Sequence, residues 1–242
     1  MALAKQLIDK VMEPRLEKRI KHLSLLLTLV AGFCDTVTFV AADSLFSAHV
    51  TGNFIVFAYD VVHHVDAHAW TKLGSFPVFV AAVVAGRWLG DRAQSRYALL
   101  LWEGGLLVAA GLLVLALAQG GARTIPLMQL AAMLVVFAMG LQNAFGRLFA
   151  KETYGPTTVM TGNVTQATLD AVAWLRTPTK TDAQAAALRK QFLILGAFLG
   201  GCLTGAIAAR LVGLSVVLVP GAVLLALALG WHRQAQSETI TT

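Results

Sequence analysis

The tripeptide Thr-Gly-Asn occurs twice in the sequence, at residues 51–53 and 161–163. An aspartate follows each asparagine seven positions later, Asp60 and Asp170, and positions separated by seven share one face of a helix. At a helix start, Thr or Asn can cap free N–H groups, Gly permits a sharp turn, and the helix dipole attracts negative charge. The repeat predicts a binding site for a polar or anionic solute, formed by Thr51, Gly52, Asn53, Thr161, Gly162 and Asn163. The alternative is a helix cap that was duplicated with the fold.

Asp35 lies inside a long apolar stretch, where an ionised carboxylate is costly unless it is paired or hydrated. We therefore predict that Asp35, with Asp60 and Asp170, couples transport to a proton or another cation. The counterpart of Asp35 in the second half is Asn143, preceded by Gln142, and both amides are predicted to contact the solute. A structural hydrogen bond near the membrane boundary is the alternative role for Asp35.

Other reactive residue types carry weaker signals. A metal site is conceivable in the turn after Asp60, but histidines in such a turn are more often solvated, so we predict neither a metal site nor a cofactor. The turn contains His63, His64, Asp66 and His68. The sequence has no catalytic serine, zinc-protease or nucleotide-binding motif, which argues against an enzyme and against an ATP-driven pump. Cys34 and Cys202 are predicted to be small core residues.

The composition predicts an all-α integral membrane protein. Of 242 residues, 57% are apolar and 13% are charged, whereas a soluble domain has about 25% charged residues. Six stretches approach the roughly 20 residues that a membrane-spanning helix needs. They are residues 23–41, 75–92, 97–118, 126–148, 190–210 and 212–231. A basic amphipathic segment, residues 1–22, precedes the first span, and a tail, residues 233–242, follows the last.

Two shorter segments, residues 50–64 and 160–175, either cross the membrane or enter it and return. Lys and Arg are enriched in cytoplasmic loops. With a cytoplasmic N-terminus and two re-entrant segments, 16 basic residues lie inside and 3 outside, against 13 and 6 if both segments cross. The distribution of charge favours six transmembrane helices plus two short re-entrant half-helices, with both termini in the cytoplasm.

Three crossings in each half place the second half upside down relative to the first. The sequence therefore predicts two inverted repeats, residues 23–119 and 120–232. Matching GxxxG motifs, which allow close helix packing, support the duplication. They are formed by Gly86 and Gly90 in one half and by Gly201 and Gly205 in the other.

The runs GFCDTVTFV and FSAHVTGNFIVFA, together with the later TGN, resemble the YoaK-type family of bacterial membrane proteins, a domain of unknown function. The resemblance covers roughly residues 20–230 and implies a protein of the bacterial inner membrane. It implies no substrate.

Opposed half-helices in inverted repeats are a recurrent transporter design. The leading hypothesis is thus a secondary transporter of a small polar or anionic solute, with lipid and solute as partners and a homo-oligomer as an option. A passive channel with opposed half-helices is one alternative. A scaffold or subunit that packs through its GxxxG faces, or an unrecognised intramembrane enzyme, is another.

Overall fold

The chain is mostly helical in the part described by a computed structural model, residues 2–63, 69–93, 95–119, 125–177 and 181–240, with side chains for residues 16–233 of these ranges. These residues contain no β-strand, so the predicted all-α class is confirmed. They form the helices α1 (Ala2–Ala41), α2 (Gly52–His63), α3 (Ala69–Arg92), α4 (Ala98–Gln119), α5 (Ile125–Leu148), α6 (Met160–Arg176), α7 (Asp182–Val212) and α8 (Leu218–Ile240).

Five stretches are long and apolar enough to cross a membrane: Leu16–Ala41, Ala69–Arg92, Ala98–Gln119, Ile125–Leu148 and Asp182–Arg233. The last of these includes both α7 and α8. The shorter α2 and α6, of 12 and 17 residues, are not among them. The basic N-terminal segment continues without a break into the first apolar stretch, as a single helix of 40 residues. These helices indicate a multi-pass membrane protein.

Helix α7 packs against α1 through its two GxxxG glycines. A Cβ atom at Gly205 would lie 2.7 Å from the carbonyl oxygen of Phe33, and one at Gly201 would overlap the carbonyl oxygen of Leu29. Only glycine allows the two backbones to approach this closely. Because both residue numbers rise along the contact, α1 and α7 run parallel.

Helix α3 packs against α5 in the same manner. A Cβ atom at Gly86 would lie 2.6 Å from the Cβ of Ala144, and one at Gly90 would lie 3.2 Å from Cδ1 of Leu148. These residue numbers also rise together, so α3 and α5 run parallel.

Helices α4 and α8 run antiparallel. A Cβ atom at Gly111 would lie 2.5 Å from the Cβ of Leu218, whereas one at Gly104 would lie 2.9 Å from Cγ of Leu225. The 3₁₀ helix that joins α7 to α8 begins at Gly213, whose φ of 76° lies in the left-handed region that favours glycine.

The buried apolar side chains form two clusters, which follow one another along α1, α4 and α5. The first cluster includes Leu23, Leu27, Leu99, Leu100, Phe145 and Leu224. The second includes Val30, Cys34, Leu107, Val135 and Met139. Cys34 is a buried free thiol and Cys202 is a half-buried one. Large apolar side chains such as Val84, Leu203 and Ile207 are exposed, as expected for helices that face lipid.

Candidate functional site

The two asparagines of the repeated motif hold the loops that precede α2 and α6. We refer to residues 42–51 as loop A and residues 149–159 as loop B. Asn53 is fully buried, accepts a 2.8 Å hydrogen bond from the N–H of Phe46, and donates to the carbonyl oxygen of Phe46 and to Ser75 Oγ, each at 2.8 Å. Asn163 donates to the carbonyl oxygen of Pro156 at 2.9 Å. Each asparagine therefore bonds the residue seven positions before it.

The other residues of the motifs are less enclosed. Thr51, Thr161 and Gly162 are exposed, and Gly52 is half-buried against the ring of Phe46. Helix α2 packs against α3 and helix α6 packs against α7. Among the described residues, no hydrogen bond joins one motif to the other. A solute-binding pocket shared by the two motifs therefore stays a prediction. The hydrogen bonds of Asn53 and Asn163 to their loops do not require such a pocket.

Asp35 joins α1 to loop A. Its Oδ1 accepts hydrogen bonds from the N–H groups of Ala48 at 2.7 Å and His49 at 3.3 Å, and its Oδ2 lies 2.6 Å from Nδ1 of His49. The carboxylate is 5% exposed, while 35% of the His49 side chain is exposed. The imidazole ring stacks edge-on against Phe198 of α7. The buried carboxylate of Asp35 is thus bonded to the backbone of loop A and to the imidazole of His49, a type of group that titrates near neutral pH.

The two amides predicted on α5 hold loop B. Asn143 donates a 2.8 Å hydrogen bond to Thr158 Oγ1. Gln142, fully buried, donates to Thr157 Oγ1 and to the carbonyl oxygen of Leu27, both at 2.9 Å. In both halves, a polar side chain near the end of the first helix therefore fixes the loop that leads to the short helix.

Each loop also begins with an acidic residue in an ion pair. In loop A, Asp43 lies 2.7 Å from Nζ of Lys72, a buried ammonium that also lies 2.7 Å from Asp60. In loop B, Glu152 lies 3.0 Å from Arg96 and accepts a 2.9 Å hydrogen bond from the hydroxyl of Tyr97. Burial, followed by the nearby Glu152, raises the pKa of that hydroxyl.

A cavity of about 230 Å³ lies between the end of α1 and the starts of α3 and α5. Its polar wall includes Asp43, Thr71, Lys72 and Gln129, and its apolar wall includes Leu45 and Met128. The predicted coupling residue Asp60 is ion-paired with Lys72, which lines this cavity. The other predicted coupling residue, Asp170, lies on the surface of α6 and accepts a 2.8 Å hydrogen bond from Gln166.

The histidine-rich turn is only partly described. The ring of His63 stacks on Tyr59 with centroids 4.0 Å apart, while His64, Asp66 and His68 lie outside the described residues. Within the described ranges, no three His, Cys, Asp or Glu side chains lie close enough together to hold a metal ion.

A family model described as "Protein of unknown function (DUF1275)" matches residues 23–230. The chain belongs to the DUF1275 family. The match confirms the family resemblance and includes both loops of this DUF1275 protein. No curated protein and no solved structure matches the chain.

The sequence analysis missed three residues that the structure makes prominent. His49, the partner of Asp35, precedes the first motif by two positions. Lys72 was counted only among the basic residues whose positions were used to compare the two membrane topologies. Glu103, which is fully buried, was overlooked, although it is the only charged residue in the predicted span 97–118. An ionisable residue within a span is itself a signal of function.

The pair formed by His49 and Asp35 makes stability depend on pH. The hydrogen bond to Asp35 raises the pKa of His49 above its usual 6.5, although partial burial of the ring opposes the shift. The pair therefore stabilises the fold fully below about pH 6.5 and loses this contribution as the pH rises through the folded-state pKa. We expect the melting temperature to fall more steeply above about pH 6.5 in the DUF1275 protein than in His49→Gln.

Thermal unfolding in detergent across this pH range, with both variants in the same buffers, measures the difference. If the melting temperature changes equally with pH in the protein and in His49→Gln, the titration of His49 does not cause the pH dependence of stability.

Proposed function

We propose that this DUF1275 protein is a secondary transporter of a small polar solute in the bacterial inner membrane. In this proposal six helices cross the membrane in two inverted halves, α2 and α6 enter and return, and both termini lie in the cytoplasm. The protein moves a solute and catalyses no covalent reaction.

The directions of the helices support six crossings. With six crossings, α4 is the third and α8 the sixth, so they must run antiparallel; with eight, both would run the same way. The contacts of Gly104 and Gly111 with α8 give the antiparallel arrangement. The parallel pairs α1 with α7 and α3 with α5 fit six crossings as well.

The packing partners support two related halves. The GxxxG helix of each half packs against the first helix of the other half. Helix α7 thus packs against α1, and helix α3 packs against α5. Each short helix packs against the GxxxG helix of its own half. Inverted halves with interrupted helices place binding sites within the membrane in many transporters.

The observation that carries the proposal is the matched fixing of the two loops by Asp35 and Asn143. Irregular backbone at membrane depth must be satisfied by protein or by water. Asp35 accepts hydrogen bonds from two backbone N–H groups of loop A, whereas Asn143 bonds the side chain of Thr158 in loop B. The two halves differ chemically, since a carboxylate holds loop A and an amide holds loop B. Protonation of Asp35 would remove acceptor capacity and loosen loop A alone. That asymmetry supplies a route by which a proton could be coupled to movement of one loop.

The cavity next to loop A supports a small solute. Its volume of about 230 Å³ is below the roughly 300–1,000 Å³ of pockets for drug-sized ligands. Two carboxylates, Asp43 and Asp60, surround the one ammonium of Lys72. The cation is therefore already neutralised, which favours a neutral polar solute over an anion at this position.

The test is uptake by the purified protein in liposomes, with small sugars and polyols, amino acids and monocarboxylates as probes and with an imposed pH gradient. We expect uptake of a neutral polar probe that rises with an inward proton gradient. Asp35→Asn should reduce that uptake about tenfold or more, because hydrogen bonds to charged groups contribute about 1.5–3 kcal/mol each.

Asp91→Asn is the matched control, because Asp91 is an exposed carboxylate paired only with Arg87 on the same helix, at 3.0 Å, among the described residues. Uptake that ignores the proton gradient would indicate the channel alternative. Absence of uptake for every probe would favour the scaffold, although the GxxxG faces already contact helices of the same chain.

A further inference from the structure

Glu103 of α4 is a buried carboxyl group that forms no ion pair within the described part of the chain. Its side chain is 0% exposed, and neither carboxylate oxygen has a hydrogen-bond partner within the described part of the chain. Glu103 is also the only charged residue of α4. Removing an ionised carboxylate from water without a partner is so costly that such a group takes up a proton instead.

Two other buried polar side chains lie between members of the same two clusters along their own helices. Along α4, Glu103 lies between Leu100 of the first cluster and Leu107 of the second. Along α1, Thr28 lies between the members Leu27 and Val30 of these clusters. Gln142 lies between two further members, Met139 and Phe145, along α5. The hydrogen bond from Gln142 to the carbonyl oxygen of Leu27 places α5 next to α1 at this level.

These two residues also retain unused hydrogen-bonding capacity. Thr28 and Gln142 are fully buried, and among the described residues Thr28 Oγ1 and Gln142 Oε1 have no hydrogen-bond partner. A neutral carboxyl group has one O–H donor and one carbonyl acceptor, which match an amide oxygen and a hydroxyl donor. An ionised carboxylate would offer no donor to the oxygen of Gln142.

We propose that Glu103 binds a proton in a buried site completed by Thr28 and Gln142. The proton resides on one carboxyl oxygen. Among the described residues no direct hydrogen bond joins the three side chains, so small side-chain rotations or an intervening water molecule would connect the carboxyl group to Oε1 of Gln142 and to the hydroxyl of Thr28. A cation such as Na⁺ fits less well, because hard cations prefer about six oxygen ligands and the three side chains supply four oxygens.

The charged and titratable groups around this level do not neutralise Glu103. Among the described residues, Cys34 of α1 is a titratable side chain close enough to interact electrostatically with Glu103. Other charged and titratable groups lie further along the neighbouring helices and loops. They include Arg19, Lys21, His22 and Asp35 on α1, Lys72, Arg87, Asp91 and Arg92 on α3, Arg96 and Tyr97 before α4, Arg147 on α5, Glu152 in loop B, and His232 and Arg233 on α8.

Loop B connects this site to the protein surface. Gln142 donates to Thr157 Oγ1 at 2.9 Å, and both residues line a cavity of about 10 Å³ together with Asn143, Arg147 and Thr158. About 10–15 Å³ is the space that one water molecule requires. We infer that a single water molecule can enter this cavity and lie next to Gln142.

The inference rests on the proposed function and deepens it, because Glu103 would be a second proton site in addition to Asp35, but proton binding is measurable without transport. The experiment is infrared difference spectroscopy on the full-length protein in lipid bilayers, titrated with acid and base. We expect a protonated carboxyl band at neutral pH, where free glutamate, with a pKa of about 4.3, is ionised. Glu103→Gln, which keeps the side-chain shape, should abolish that band.

Three further variants identify the site. Glu103→Asp keeps a carboxyl group and should move the band, so the assignment does not depend on the Gln variant folding. Gln142→Leu and Thr28→Val should each move the band to higher frequency, because the carboxyl group loses a hydrogen bond. Glu17→Gln is the control, since Glu17 is exposed and paired with Lys190 at 3.4 Å, and it should leave the band unchanged.

Ionised Glu103 at neutral pH would overturn the inference. Loss of the band on adding NaCl at constant pH would indicate a sodium site and would overturn it as well. A band that neither Gln142→Leu nor Thr28→Val moves would refute the three-residue site. A normal band in a protein that takes up no probe would count against the transporter alone. Proton-driven uptake without the band would count against Glu103 alone.

Discussion

Gly201→Leu will destabilise the protein strongly, whereas Gly196→Leu will leave its stability nearly unchanged. A Cβ atom at Gly201 would overlap the carbonyl oxygen of Leu29, which is backbone and cannot rotate away. Overpacking a core typically costs about 1–3 kcal/mol, and separating two helices at a backbone contact exceeds the upper end of that range. We expect a loss of more than about 3 kcal/mol for Gly201→Leu.

Gly196 lies on the same helix and is exposed, and no atom outside the adjoining turns of that helix lies within 4 Å of the position that a Cβ atom would take there. Thermal unfolding of both variants in detergent, followed by size-exclusion chromatography, measures the difference. Similar melting temperatures for the two variants would show that α1 and α7 are not in contact at Gly201. Gly86→Leu repeats the test at the matching contact, where the clash is with the side chain of Ala144.

Asn53→Ala will also destabilise the protein, more than Asn163→Ala. Removing the amide of Asn53 leaves the N–H and carbonyl groups of Phe46 without their partner. The hydroxyl of Ser75 loses one bond but still donates to the carbonyl oxygen of Lys72. An unsatisfied buried polar group costs about 1–3 kcal/mol, so a loss of about 3 kcal/mol is expected. Asn163 donates to one carbonyl group, that of Pro156, and its removal should cost about 1 kcal/mol.

Thr51→Ala, at an exposed position two residues before Asn53, is the control for stability and should change the free energy of unfolding little. Chemical unfolding in mild detergent and liposome uptake should be measured on the same preparations. These measurements distinguish the two roles predicted for Asn53. Lost stability identifies Asn53 as a loop anchor, whereas unchanged stability with lost uptake would identify it as a solute ligand and contradict the expectation.

The helices were largely predictable because hydrophobicity is a local property. The predicted spans 97–118 and 126–148 agree with α4 and α5 to within two residues. The short segments 50–64 and 160–175 appear as the helices α2 and α6. The start of α3 lies six residues before the predicted start, because Lys72 and polar neighbours made that turn look like a loop. In the structure Lys72 is buried between two carboxylates.

The candidate site was predictable only in part, because its partners are distant in the sequence. The motif identified Asn53 and Asn163 as special, and both are buried. That each bonds the backbone seven residues earlier depends on how the loop folds back. The environment of Glu103 depends on three helices at once, and no local pattern shows that its oxygens lack partners.

The sequence by itself determined the helical class, the family, and the presence of two short polar segments, since composition, periodicity and motif spacing are carried by neighbouring residues. The tertiary structure decided which way the helices run, what each buried polar group touches, and where an isolated carboxyl group lies. The physical reason is that packing and hydrogen bonding join residues such as Leu27 and Gln142, which are 115 positions apart. Only the folded chain brings their atoms within 3 Å.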